Sequence, residues 1–237
     1  MQTSLLPVVI EHEFDSTFDG KDLKRLGRGN DGHTYALKRL ADHATLPLCE
    51  WVGYHLCRAT SIRTPDFSIV HFEDGQPPAF GSRIFDAKRQ VNKDPGSYEI
   101  AAFFRSHLSA VASIYALDAF IANPDRHGRN LMVADMPGGS VLWAFDFSRA
   151  WIRLGMPFGN TEALRDSHTQ KWWKGFKSRG ATPDLALLDR VADLGDDWLD
   201  RVVNAAPADW RVAIDCDAIL AYWVRRRDRI DFAKLWL

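Results

Sequence analysis

Cysteine is scarce. Cys49, Cys57 and Cys216 form neither a CxxC pair nor a Cys/His spacing that suits a metal. An odd, sparse count in a chain of 237 residues excludes a disulfide scaffold and fits a reducing compartment. An excess of one charge is also missing: 30 Lys and Arg stand against 31 Asp and Glu, so no broad basic field points to direct nucleic-acid binding. The run Arg225-Arg226-Arg227 is a local exception, and on a helix its members point in different directions, as on a solvated face. Long hydrophobic runs are absent. The longest apolar segment, 108–122, is interrupted by Ser109, Ser113 and Asp118 and is too short and polar to span a bilayer. The opening Met1-Gln2-Thr3-Ser4-Leu5-Leu6-Pro7 has no basic stretch and too short an apolar one for a signal peptide. Together these features predict a cytoplasmic protein that does not use a membrane.

What is present is ordinary for a globular chain: 46% apolar and 26% charged residues, with nine tryptophans that imply large buried or cleft-lining surfaces. The first half reads as strands. An apolar run covers 5–10, and segments 23–26 and 34–40 flank Asn30-Asp31-Gly32, a strong hairpin signal. A helix is predicted over 46–59, with Pro47 in its first turn and Thr45 as its cap. Strands return over 61–85. The polar stretch 86–98, with Pro95-Gly96, reads as a connection.

The second half reads as mostly helical. Segment 108–122 is apolar all round and so central, and Asn123-Pro124 ends it. A hairpin follows over 131–133 and 141–145, then a loop near 153–168, then helices around 185–193, 198–204 and 218–227. The predicted class is α+β: a bilobal, protein-kinase-like fold with a strand-rich amino-terminal lobe (1–90) and a helical carboxy-terminal lobe (91–237).

Two segments carry chemistry. Asp125-Arg126-His127-Gly128-Arg129-Asn130 lies between the buried helix and the hairpin, and Phe145-Asp146-Phe147-Ser148 ends the hairpin. Phosphoryl transfer needs a carboxylate for the attacking hydroxyl, oxygen ligands for magnesium and a cation for the remaining phosphate oxygens. Asp125 suits the first task, Asn130 and Asp146 the second, and Lys38, at the end of Tyr35-Ala36-Leu37-Lys38, the third. The interval from Asp125 to Asn130 is the one protein kinases keep between catalytic Asp and metal-binding Asn. Glu50, on the next helix, is placed to pair with Lys38. His127 has two readings, contact with phosphate or Asp125, and a structural bond to the loop backbone. Gly27 to Gly32 matches GxGxxG, but Lys38 follows too closely for a phosphate loop. That stretch reads as a hairpin turn, leaving 16–20 as the phosphate-cradle candidate.

Asn123-Pro124-Asp125-Arg126-His127-Gly128-Arg129-Asn130 resembles the catalytic loop of HipA-like serine/threonine kinases, and more distantly that of phosphoinositide kinases. Cys49-Glu50-Trp51-Val52-Gly53-Tyr54-His55-Leu56, followed by Thr64-Pro65, resembles a helix of compact HipA-like domains. The resemblance covers about 23–151. It implies a bacterial ATP- and Mg2+-dependent kinase with Asp125 as the catalytic Asp, Asn130 and Asp146 as metal ligands and Lys38 as the ATP lysine. It also implies a hinge at Arg83-Ile84-Phe85-Asp86 that holds adenine. Many family members are toxins restrained by a partner encoded beside them, which implies a protein substrate and a neighbouring antitoxin or regulatory protein. No serine-rich autophosphorylated loop is evident. A kinase for a lipid or small molecule, and a nucleotide-binding module without turnover, are the alternatives.

Overall fold

The computed structural model describes residues 6–16, 24–85, 88–90, 104–150, 164–234 and 236–237. For 88–90, Asp135 and Phe232 the description is of the backbone. The phosphate-cradle candidate falls almost wholly outside these residues, as does Asp86 of the hinge segment.

Strands β1 (Val8–Asp15), β2 (Arg25–Gly29), β3 (Thr34–Lys38), β4 (Phe67–Phe72) and β5 (Ala79–Arg83) close into a barrel in the order β1-β2-β3-β5-β4. Closure comes from a parallel pairing of β1 with β4, Val8 opposite Val70, while the other pairs are antiparallel. A closed sheet leaves no unpaired edge among its strands. Val8, Ile10, Tyr35, Leu37, Val70 and Ala79 fill its interior. The turn between β2 and β3 is the predicted one. Gly32 takes φ +78°, Asp31 Oδ1 accepts from the His33 N–H at 3.0 Å, and the Tyr35 hydroxyl donates to Asp31 Oδ2 at 2.6 Å.

Helix α1 (Leu46–Ala59) has the predicted bounds and Pro47 in its first turn, but Thr45 does not cap it. The Thr45 hydroxyl instead lies 3.1 Å from His43 Nδ1. Burial of α1 is nearly all-round, because it sits between the barrel and the helical half. Tyr54 Oη and Ser82 Oγ of β5 are 2.8 Å apart, and Trp51 Nε1 donates to the Val202 carbonyl at 2.9 Å.

The predicted hairpin is present as β7 (Leu131–Met136) and β8 (Gly139–Ala144). A short strand, β6 (Lys88–Gln90), pairs with β7 from within the stretch read as a plain connection. The helices are α2 (Leu108–Phe120), α3 (His168–Lys177), α4 (Leu185–Ala192), α5 (Trp198–Asn204), α6 (Cys216–Asp228) and α7 (Asp231–Lys234). Helix α2 is central, with Val111, Ile114, Tyr115, Leu117 and Phe120 buried. One buried cluster takes in α1, Phe67 and Phe80 of the barrel, α2 and the later helices. The Arg225–Arg227 run is not uniformly solvated. Arg226 is buried and donates to the carbonyls of Phe120 and Ala119, both at 2.9 Å, satisfying groups that the end of α2 leaves open. Among the described residues no helix is long and apolar enough to cross a membrane.

Candidate active site

The loop after α2 is built around a buried ion pair. Asp118 and Arg126 are both fully buried, with Arg126 Nε 2.8 Å from Asp118 Oδ2 and Nη2 3.1 Å from Oδ1. Burial penalises the guanidinium, but the Asp118 carboxylate more than offsets this and holds the Arg126 pKa above its ordinary value. Arg126 Nη1 donates to the carbonyls of Asn130, at 2.9 Å, and Phe145. One side chain thus joins the end of the Asp125–Asn130 loop to the segment that carries Asp146. Asn123 Nδ2 adds a 2.8 Å bond to Asp118. Such fork geometry suits arginine and would not survive replacement by lysine.

Helix α3 clamps the same loop from the other side. The Thr169 hydroxyl, nearly fully buried, donates to the Asn123 carbonyl at 2.6 Å and accepts from the Arg126 N–H at 2.9 Å. The Thr169 N–H donates to the Pro124 carbonyl at 3.2 Å. Trp172 lies so close to Gly128 that a Cβ there would fall 2.5 Å from Trp172 Cη2, so any larger residue would force the indole to shift.

Held this way, Asp125 stays about one-third exposed, and Arg149 Nε stands 3.9 Å from its Oδ2. Asn130 is buried and its Nδ2 donates to the Asp125 carbonyl at 2.9 Å, which orients the amide and commits its nitrogen. His127 Nδ1 accepts from the Arg129 N–H at 3.2 Å, in keeping with the structural reading. Burial lowers the His127 pKa against an opposing pull from Asp125, which favours the neutral ring that such acceptance needs.

The three remaining groups converge. Lys38 Nζ, at the end of β3, is 3.4 Å from Asp146 Oδ1 and 3.5 Å from Glu50 Oε1. Glu50 is almost fully buried, and its Oε2 accepts from the Phe147 N–H at 3.0 Å. Asp146 has φ +62°, a left-handed conformation that is strained for a non-glycine residue and tends to gather at functional sites. Burial works to raise the Asp146 pKa, yet Lys38, Ser148 and Arg126 together draw it well below the ordinary carboxylate value. Burial has the upper hand at Glu50: its pKa is raised to about 7 from an ordinary 4.5, with Lys38 opposing and Asp146 adding to the rise. Two carboxylates therefore meet one lysine.

No protein-family model matches this chain, and no curated protein matches it in sequence. Solved structures do match. The Helicobacter pylori proinflammatory kinase CtkA aligns with a TM-score of 0.59 at 11% identity, over 92% of this chain and 92% of its own. HipA of the Shewanella oneidensis MR-1 toxin–antitoxin system, solved with HipB and operator DNA, aligns with a TM-score of 0.53 at 13% identity. That alignment covers 99% of this chain and 67% of HipA.

The fold is kinase-like.

At these identities the likeness speaks for the fold, and the resemblance to HipA-like kinases holds at that level. Within this kinase-like fold, Lys38, Glu50 and Asp146 are in contact, and Arg126 ties the Asp125–Asn130 loop to them. Arg83 and Phe85, expected at a hinge, make contacts of their own. The Arg83 guanidinium sits 4.8 Å over the Phe85 ring and 3.6 Å from Asp66, and Phe85 packs on Trp143 of β8. Four contributors have no role at this loop in the sequence analysis. Asp118 is a lone acid in an apolar helix and carried a signal. Arg126 was quoted for its motif without a structural role. Thr169 and Trp172 sit on α3, in the stretch 169–184 to which the sequence analysis assigns no element.

Proposed function

We propose that this chain is an ATP- and Mg2+-dependent phosphotransferase that phosphorylates serine or threonine in a protein, working as two lobes, 1–90 and 91–237. The observation that carries the reading is Lys38 held between Glu50 and Asp146 while Arg126 locks the Asp125–Asn130 loop beside them. Desolvating a lysine and two acids beside one another is costly, and such groups gather at sites that handle charge.

The donor set fits magnesium. Asp146 is kept ionised, and Asn130 offers an amide oxygen. A hard cation that keeps several waters and phosphate oxygens takes one or two such ligands. When bound, magnesium supplies charge neutralisation and orientation of the β- and γ-phosphates. Lys38 holds the other phosphate oxygens, and Glu50 restrains Lys38. Arg83 and Phe85 mark the adenine side, where the backbone of the segment is the binding group.

Asp125 accepts the proton of the acceptor hydroxyl as that oxygen attacks the γ-phosphorus. The bond from phosphorus to the β–γ bridging oxygen breaks, and ADP leaves with that oxygen. His127 keeps the loop in shape. By analogy with the HipA neighbour, the chain acts as a bacterial cytoplasmic toxin restrained by an antitoxin or regulatory protein, without itself binding nucleic acid or membrane.

The test is transfer from γ-labelled ATP to protein in a cell lysate, with magnesium and with EDTA, beside a calorimetric titration of nucleotide. Magnesium-dependent labelling of protein supports the reading. Labelling of lipid or small molecules alone would move the acceptor class, and nucleotide binding without transfer would make the chain a regulatory module.

A further inference from the structure

Two tryptophans join the helical half to the two elements that bring Lys38 and Glu50 together. Trp51, next to Glu50 on α1, is buried and donates through Nε1 to the Val202 carbonyl of α5 at 2.9 Å. Trp210, fully buried in the turn Ala208–Arg211, donates through Nε1 to the Pro78 carbonyl at 2.7 Å. Pro78 leads directly into β5, where Phe80 stands opposite Lys38 of β3. The two tryptophan rings also meet edge to face, with centroids 6.1 Å apart. The segment 198–211 thus grips both sides of one ion pair: the helix of Glu50 and the strand beside Lys38. Arg211 Nη1 braces that segment by donating to Asn204 Oδ1 at 2.9 Å.

A buried indole ordinarily finds some acceptor, and that alone would be packing. The acceptors here are particular. After α5 the N–H groups of Ala205 and Ala206 go to the carbonyls of Arg201 and Val203, passing over Val202. Trp51 therefore supplies a partner that the helix end itself leaves out. Glu50 and Trp51 are consecutive on one helix. A rotation of α1 that withdrew Glu50 from Lys38 would pull Trp51 off Val202, leaving a buried N–H and a buried carbonyl unpaired. Gly53, also on α1, closes against Phe147: a Cβ there would fall 2.5 Å from Phe147 Cγ.

We propose that Trp51 and Trp210 are positioning residues of the candidate site, which keep Lys38 and Glu50 in contact before nucleotide binds. The proposal rests on the kinase reading above and deepens it by addressing how the site is regulated. In protein kinases the lysine–glutamate pair must be in place for transfer, and the position of the helix that carries the glutamate is a means of control. Here that helix is fastened at Val202 and the strand beside the lysine at Pro78. Helix α1 is then a fixed part of the site and not its switch.

Calorimetry with magnesium-ATP tests this on the full chain without relying on turnover. Trp51→Phe and Trp210→Phe keep an aromatic ring and remove the N–H, and each should raise the Kd about fivefold or more. Trp223→Phe is the matched control, because Trp223 is buried and donates through Nε1 to the Gly195 carbonyl of the helical half at 3.4 Å. It should leave the Kd unchanged. In a Glu50→Gln background, Trp51→Phe should have little further effect, since a residue that acts through the Glu50 carboxylate adds nothing once that group is gone. No effect of Trp51→Phe and Trp210→Phe, or effects equal to that of Trp223→Phe, would overturn the proposal. So would an undiminished effect of Trp51→Phe in the Glu50→Gln background. Loss of the fold in both Trp51→Phe and Trp210→Phe would make them structural residues alone and overturn it too. If the wild type binds ATP with this tryptophan dependence but transfers no phosphate to any acceptor, the kinase reading fails while the positioning stands. A wild type that binds no magnesium-ATP would sink both.

Discussion

Glu50 and Phe147 are joined by a 3.0 Å hydrogen bond from the Phe147 N–H to Glu50 Oε2, across 97 positions of sequence. The carboxylate that restrains Lys38 through one oxygen thus holds, through the other, the turn that presents Asp146. Loss of Glu50 affects both, so its role is not confined to the lysine.

That arrangement has a pH signature in the metal-free protein. The folded-state Glu50 pKa, about 7, lies above its ordinary 4.5, so the folded state binds the proton more tightly than the unfolded state does. The contribution to stability is full below about 4.5, is lost as pH rises toward about 7, and is level above that. Denaturant unfolding in EDTA, compared between wild type and Glu50→Gln, should show wild type losing ground to the variant across this window. A difference that does not change with pH would contradict the assignment.

The Asp118–Arg126 pair should be costly to break from one side. Asp118→Ala leaves a buried guanidinium without its carboxylate, and stability should fall by about 3–5 kcal/mol. Chemical denaturation measures this. A loss near that of an exposed pair, about 0–1 kcal/mol, would mean the loop is held by other contacts.

Thr169 is a positioning residue, because it touches the loop backbone and not the reacting groups. Thr169→Val keeps the shape and removes the hydroxyl, leaving the Asn123 carbonyl and the Arg126 N–H short of partners, at a cost of about 1–3 kcal/mol. Turnover should fall more than ATP affinity does, and Thr169→Ser should restore both. Equal losses in turnover and ATP binding, or no rescue by serine, would leave Thr169 a purely structural residue.

Asp146→Asn should remove magnesium dependence. Nucleotide affinity of the variant should match that of wild type in EDTA, and turnover should fall by about 10²-fold or more. Calorimetry with and without magnesium reads this. A variant that keeps a magnesium-dependent gain in affinity would place the metal elsewhere.

Much of the site was legible because its signals are local. Asp125 to Asn130 and Asp146 stand in short segments next to a helix end and a hairpin, and Lys38 ends a strand whose turn is written in Asn30-Asp31-Gly32. Contacts between distant segments left less trace. The parallel pairing of β1 with β4 joins residues about sixty apart and has no turn chemistry to announce it. Arg226 was misread because a run of three arginines hides which one faces the end of α2. Thr169 was invisible because a threonine near a helix start is common, and its value lies in where Asn123 and Arg126 happen to be. Asp118 was different: a carboxylate in an otherwise apolar helix already called for a buried partner.

Asp125 tests the central claim most directly. The acceptor hydroxyl gives up its proton during transfer, so a base at this position acts on the transition state far more than on bound ATP. The measurement is Asp125→Asn, which keeps size and removes the base, assayed for labelling of lysate protein from γ-labelled ATP and for nucleotide affinity in parallel. The account predicts a fall in transfer of about 10²-fold or more with ATP affinity little changed. Transfer at the wild-type rate would contradict it.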